Sequence, residues 1–245
     1  MHLLKKIWIA SRNLLLFLFV SSLVTVVIYK FIPVYYTPLM FIRMYEQCRD
    51  GKAIKLEHKW VPMEEIAQPL AQAVVASEDN LFLDHWGFDI TQIQKARAEA
   101  EKGKRVRGAS TISQQTAKNV FLWPGKSYLR KGIEVYFTVL IEWVWGKERI
   151  MEVYLNSIEM GSGIYGAEAV AQAHFKKSAY KLTKAEAALI AASLPNPRRF
   201  NSAKPSPYML QRQAKIMSLM QKIVKIEMGY GSGNSKTLNK KARKK

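Results

Sequence analysis

Between Arg12 and Lys30 lies a run without a single charged residue, Asn13 to Tyr29, dominated by Leu, Val and Phe. Its seventeen residues, at about 1.5 Å of rise each, make a helix roughly 26 Å long, close to the thickness of a bilayer's hydrocarbon core. Arg12 and Lys30 can snorkel at its ends, and Trp8, Tyr29, Tyr35 and Tyr36 suit the two interfaces. No small-residue cleavage pattern follows the run, and it is long for a leader's apolar stretch, so it reads as an uncleaved anchor. A buried core helix is disfavoured because no charge marks a solvent face. Lys5, Lys6 and Arg12 precede the run and the first acidic residue is Glu46, which places the N-terminus in the cytoplasm and the remainder across the membrane.

The net charge is +19, from 38 Lys and Arg against 19 Asp and Glu. Such an imbalance calls for an anionic partner: nucleic acid, an acidic membrane surface or a phosphorylated substrate. The lone cysteine, Cys48, can form neither an internal disulfide nor a cysteine metal site. With 49% apolar residues in 245, the chain suits one ordinary domain plus its anchor.

The expected organisation is a stub (1–12), the anchor (13–30), a juxtamembrane connector (31–60), a single folded domain (61–228) and a basic tail (229–245) expected to be disordered. The domain reads as mainly α. Helices are expected from Pro62 to Glu78, and over Ile90–Lys102, Ile112–Leu122, Tyr128–Trp145 and Lys147–Leu155. Thr183 and Glu186 have capping-box spacing ahead of the apolar run Ala187–Leu194, and a last helix is expected over Tyr208–Met228. No alternating β pattern and no repeat is visible. The tail carries six Lys or Arg and no acid; beyond a membrane it meets lipid headgroups or anionic wall polymer before any nucleic acid.

Four stretches carry candidate chemistry. Ser77 to Asp89 holds Glu78, Asp79, Asp84, Asp89, His85 and three aromatics at the end of an apolar helix. A carboxylate leaving a dry surface there is desolvated and becomes a better base, although a helix-end carboxylate is more often simply solvated. Gly108 to Gln115, followed by Lys118, sets hydroxyls and carboxamides at a helix N-terminus, which favours anions; Ser110 or Thr111 also suits a plain N-cap. Arg130 and Glu134 are four apart and share a helix face, the spacing of an ordinary ion pair. Tyr154-Leu155-Asn156 precedes Gly161, Gly163 and Gly166.

These four stretches, in this order, resemble the peptidoglycan glycosyltransferase family, found in bifunctional penicillin-binding proteins and as stand-alone monofunctional transglycosylases. The pattern E-D-x-x-F-x-x-H-x-G-x-D matches Glu78, Asp79, Phe82, His85, Gly87 and Asp89. G-x-S-T-I-T-Q-Q matches Gly108 to Gln115, with Ser113 replacing the second Thr and keeping the hydroxyl. R-K-x-x-E matches Arg130, Lys131 and Glu134, and Y-L-N-x(4)-G-x-G-x-x-G matches Tyr154 to Gly166.

The resemblance implies a lysozyme-like, two-lobed helical domain with one N-terminal transmembrane helix. It implies polymerisation of a lipid-linked disaccharide (lipid II) with inversion and release of undecaprenyl diphosphate. Glu78 is then the base and Glu134 the second catalytic glutamate. Lys118, Lys126, Arg130 and Lys131 would neutralise the diphosphate, with a divalent cation such as Mg²⁺ as a further candidate, and Asp79, Ser110, Gln114 and Asn156 would contact substrate. Expected partners are lipid II, the growing glycan and membrane lipid, with other cell-wall synthesis proteins as candidates and no nucleic acid. The expected location is the inner membrane, single-pass, with the catalytic domain periplasmic.

Two motif matches are set aside. Gly161, Gly163 and Gly166 with Glu186 mimic a dinucleotide fingerprint, but the preceding residues read as helical rather than as a strand. Ser178 and Lys181 fit S-x-x-K, but the other penicillin-binding motifs are missing. The rival functions are a lytic, lysozyme-like enzyme, which needs a glutamate but no diphosphate-binding cations, and a non-catalytic scaffold, to which Glu78 is irrelevant.

Overall fold

The computed structural model describes residues 2–103, 108–125 and 127–228. The first helix, α1 (His2–Phe31), runs through the expected stub as well as the anchor. The most apolar 18-residue window of its Leu4–Phe31 stretch has a mean hydropathy of 2.3 and is only 6% buried, which separates it from the core helix of a water-soluble fold. Its C-terminal half docks on the body. Val26 is buried, Trp145 Nε1 donates to Val26 O at 2.7 Å, and Arg149 Nη2 donates to Tyr29 O at 2.8 Å.

The expected connector contains a helix, α2 (Pro38–Arg49), that packs on α5 (Ile112–Phe121). Thr37 caps it and Pro38 opens it, the arrangement that a missing N–H and a fixed φ favour. The helix expected from Pro62 splits into a 3₁₀ turn (Met63–Glu65) and α3 (Gln68–Glu78). Pro69 is the reason: it fits only in a first turn, so the helix restarts there.

Next come α4 (Ile90–Glu101), α6 (Tyr128–Val144), α7 (Gly146–Ser157) and α9 (Lys184–Ser193), close to their expected spans. The capping box of Thr183 and Glu186 is formed. The last helix, α10 (Pro207–Met220), stops eight residues short of Met228. Beyond it the chain is straightened by α3: Gln68 Nε2 donates to Ile226 O at 2.8 Å, and Gln72 Oε1 accepts from Ile226 N at 2.7 Å. Ile226 and Met228 are buried by this strap, so tertiary burial overrides helical periodicity.

Helices α3, α9 and α10 form one packed group, and α1, α2, α5, α6 and α7 form another. This matches the mainly α, two-lobed expectation. Buried side chains link both groups into one continuous core that includes Leu70, Phe82, Ile112, Ile141 and Leu155.

Three strands, β1 (Glu57–His58), β2 (Glu159–Gly161) and β3 (Ile164–Tyr165), form a sheet in the order β1-β3-β2. At two or three residues each they are too short to leave a period-two signal. The residues before Gly161 are therefore a strand and not helix, which corrects the ground on which a dinucleotide site was dismissed. The dismissal stands on topology: β2 and β3 pair antiparallel, without the crossover such a site requires. Gly166 (φ +83°) opens the short helix α8 (Ala167–Val170), and a Cβ there would meet Asn156 O at 2.5 Å.

Gly166→Ala is expected to cost about 3 kcal/mol, from a left-handed φ and a backbone clash. Gly132→Ala on α6, which has open space around it, should instead stabilise by about 0.5–1 kcal/mol. Thermal unfolding of both variants in detergent checks the contrast.

Candidate active site

Glu78 ends a helix whose preceding turns are almost wholly buried, Leu70 through Ala76. Its side chain emerges 15% exposed at the wall of a cleft of about 390 Å³, also lined by Asn80, Gln92, Ser110 and Lys222. Ser77 Oγ donates to Oε1 at 3.0 Å, Gln115 Nε2 approaches Oε2 at 3.4 Å, and Arg212 Nη2 lies 3.8 Å from Oε1. Burial raises the carboxyl's pKa above the ordinary glutamate value. Ser77, Gln115 and Arg212 oppose the rise in part, and Asp79 adds to it. The result is a carboxylate more basic than one in water, with room beside it for a ligand.

The rest of the first motif holds Glu78 in place. Asp79 accepts from His85 Nε2 at 2.8 Å and from Ile112 N at 3.0 Å, which welds the end of α3 to the start of α5. Thr111, the N-cap of α5, donates to Gly87 O at 2.6 Å. Gly87 (φ +79°) lies so close to α6 that a Cβ would meet Thr138 Cγ2 at 2.8 Å. Asp89 caps α4. Phe82 is fully buried with Lys147 over its ring, and Lys147 and Ser113 both bond the buried carboxylate of Glu142.

A second centre lies further along α5. Lys118 stands one turn beyond Gln115 and so shares its helix face. Burial lowers the pKa of its amine. Glu134 counters the effect, while Arg130, Lys131 and Arg43 reinforce it; Arg43 itself pairs with Glu46 at 2.5 Å and lies 3.8 Å from Glu159. Arg130 Nη1 reaches Glu134 Oε2 at 2.7 Å, and Lys131 binds the other oxygen. Arg130 Nε is buried with no hydrogen-bond partner among the described residues. Lys118, Arg130 and Lys131 outnumber the one carboxylate they face, a balance of charge that suits an anion.

Of the expected substrate contacts, Ser110 is exposed at the cleft, while Lys118, Arg130 and Lys131 gather around Glu134. Asp79, Gln114 and Asn156 are buried, and both Asp79 oxygens, Gln114 Oε1 and the Asn156 amide are bonded inside the fold. Gln114 completes the capping box of α5. Asn156 exchanges two bonds with the backbone of Val61, at 3.0 and 2.9 Å. Lys126 and the tail, 229–245, lie outside the described residues.

Four residues of the site went unassigned in the sequence. Gln115 and Ser77 sat within quoted stretches, whereas Arg43 and Arg212 carry no local signal and are brought in by α2 and α10. Among the described residues no three His, Cys, Asp or Glu side chains stand together as a metal site. Both oxygens of Glu134 are already bound to cations. The donor set therefore does not fit a protein-held divalent ion.

The transglycosylase family profile matches residues 48–221. A protein from Bacteroides thetaiotaomicron named biosynthetic peptidoglycan transglycosylase is 59% identical over 91% of this chain and 90% of its own length. Proteins of the same name from Caulobacter vibrioides and Stutzerimonas stutzeri are 54% and 47% identical, covering 84% and 90% of this chain and 89% and 91% of their own lengths. With a desolvated glutamate and a cationic centre on one face of α5, inside a mainly helical fold matched over most of its length, the chain belongs to the transglycosylase family.

Proposed function

We propose that the protein is a biosynthetic peptidoglycan glycosyltransferase that extends glycan strands from lipid II. The observation that carries this reading is the alignment of Gln115 and Lys118 on one face of α5, with the base at one and the cationic centre at the other. The reaction needs this pairing. A sugar hydroxyl is a poor nucleophile, so Glu78 takes its proton as the acceptor's 4-oxygen attacks the anomeric carbon of the growing chain. The new carbon–oxygen bond forms as the bond to the diphosphate breaks. Undecaprenyl diphosphate leaves with the electron pair, on the face opposite attack, and configuration inverts.

The departing charge is met by Lys118, Arg130 and Lys131. Glu134 holds the latter two in place and keeps the cluster from repelling itself apart. Lys126 is proposed with this cluster on sequence grounds, and Ser110 as a sugar contact. Asp79, Gln114 and Asn156 are proposed as positioning residues, because their polar atoms serve the frame. The basic residues before the apolar run support a cytoplasmic N-terminus and a periplasmic domain at the inner membrane. The docking of α1 keeps that domain beside the lipid that carries its substrate.

A lytic enzyme also uses a glutamate of raised pKa, as an acid. The cation centre favours synthesis, since lysis releases no diphosphate. Incubation with purified lipid II separates the two: glycan polymer and released diphosphate lipid support synthesis, whereas cleavage of isolated sacculi without polymer would refute it. Glu78→Gln is expected to lower polymerisation at least about 10²-fold with the fold intact, and substantial residual activity would remove Glu78 from the role of base. Lys118→Ala should lower turnover by about 10²-fold; wild-type turnover would exclude it from leaving-group stabilisation.

Glu78→Gln should also reveal the energetic cost of the base. A carboxyl whose pKa is higher folded than unfolded destabilises the fold at pH above the folded value, and the penalty vanishes below the unfolded value. The variant should therefore melt above wild type near about pH 8, with the gap closing towards about pH 4.

A further inference from the structure

The two oxygens of Glu78 keep different company. Oε1 accepts from Ser77 Oγ at 3.0 Å, and Ser77 Oγ itself accepts from Arg212 Nη2 at 3.2 Å. A hydroxyl has one proton to give, and with a guanidinium on its lone pair that proton is directed to Glu78. The same Nη2 lies 3.8 Å from Oε1. Among the described residues Oε2 has only the Gln115 amide, at a long 3.4 Å. Arg212 belongs to α10, outside all four motifs, and among the described residues its buried Nε has no hydrogen-bond partner. The guanidinium edge facing Ser77 and Glu78 is thus the anchored one.

We propose that Arg212 is a positioning residue for Glu78: directly and through Ser77 it fixes Oε1, leaving Oε2 as the oxygen that takes the acceptor's proton. The inference rests on the proposed role of Glu78 as the base. Its physical need is plain. Burial favours the protonated carboxyl, which is useless as a base, and Arg212 is the cation within ion-pair distance of Glu78 among the described residues. Among the described residues, the other charged or titratable groups facing the site are Asp79 beside it, Asp89 and Lys222 in the cleft lining, and the Tyr154 phenol, which donates to Gln115 Oε1 at 3.2 Å. Arg212 opposes the effect of Asp79 on Glu78 from an element to which neither belongs.

The test is the pH dependence of kcat/KM for polymerisation of purified lipid II by the full-length protein in detergent. Removing the cation raises the pKa of the base, so Arg212→Gln should move the acid limb upward by about one pH unit, with a smaller loss on the alkaline plateau. Arg212→Lys should restore most of the limb's position. Ser77→Ala, which removes one oxygen at a half-buried site, should move the limb the same way and serves if Arg212→Gln does not fold. A uniform loss at every pH with the limb unmoved, in either variant, would overturn the proposal. If wild type makes no polymer, the functional reading itself fails. If wild type polymerises, Glu78→Gln is inactive and the limb of Arg212→Gln stays in place, only the role of Arg212 fails.

Discussion

The carboxylate of Asp79 binds His85 through one oxygen and the backbone N–H of Ile112 through the other, both from a nearly inaccessible position. This double bond of hydrogen bonds joins the C-terminus of α3 to the N-terminus of α5, where orphan N–H groups and the helix dipole favour an anion. Everything in the site inherits its geometry from that joint. It sets Glu78 against Gln115, and because α5 is a rigid helix, it also sets the distance from Glu78 to Lys118 and the cations around Glu134. Gly87, pressed against α6, and Thr111, bonded to the Gly87 carbonyl, close the joint from the other side.

The site works against the stability of the frame that holds it. Glu78 is a carboxylate in a desolvated wall, and Lys118 is an amine pushed below its ordinary pKa by burial and by its cationic neighbours. Each is disfavoured where it stands, and each suits its task for that reason. A dry carboxylate is a stronger base, and in the proposed reaction crowded cations are relieved by the diphosphate. The continuous apolar core and the neutralised ion pairs, such as Glu142 with Lys147, supply the stability that lets this strain persist.

The anchor is part of the enzyme's body as well as its tether. Trp145 and Arg149 flank the break between α6 and α7 and both donate to carbonyls of α1. The helix that carries Arg130 and Glu134 is therefore held beside the membrane helix. A transglycosylase whose substrate keeps its tail in the bilayer gains from having its proposed diphosphate site on the element that touches its apolar N-terminal helix.

The sequence alone determined the anchor, the helical class, most helix spans and the four motifs, because these depend on neighbours a few residues apart: apolar runs, capping pairs, prolines and glycines. It placed Glu78 and the cluster around Glu134 in one list with Asp79, Gln114 and Asn156, since polarity and spacing do not say which way a side chain turns. Tertiary structure separated them, sending Asp79, Gln114 and Asn156 into the frame and Glu78 to the cleft. It also decided what no local pattern carries: that α2 brings Arg43 to the cations, that α10 brings Arg212 to the base, and that Gln68 and Gln72 unwind the chain after Met220. Each is a contact between residues far apart in sequence, made by burial that becomes favourable only once the whole core has closed.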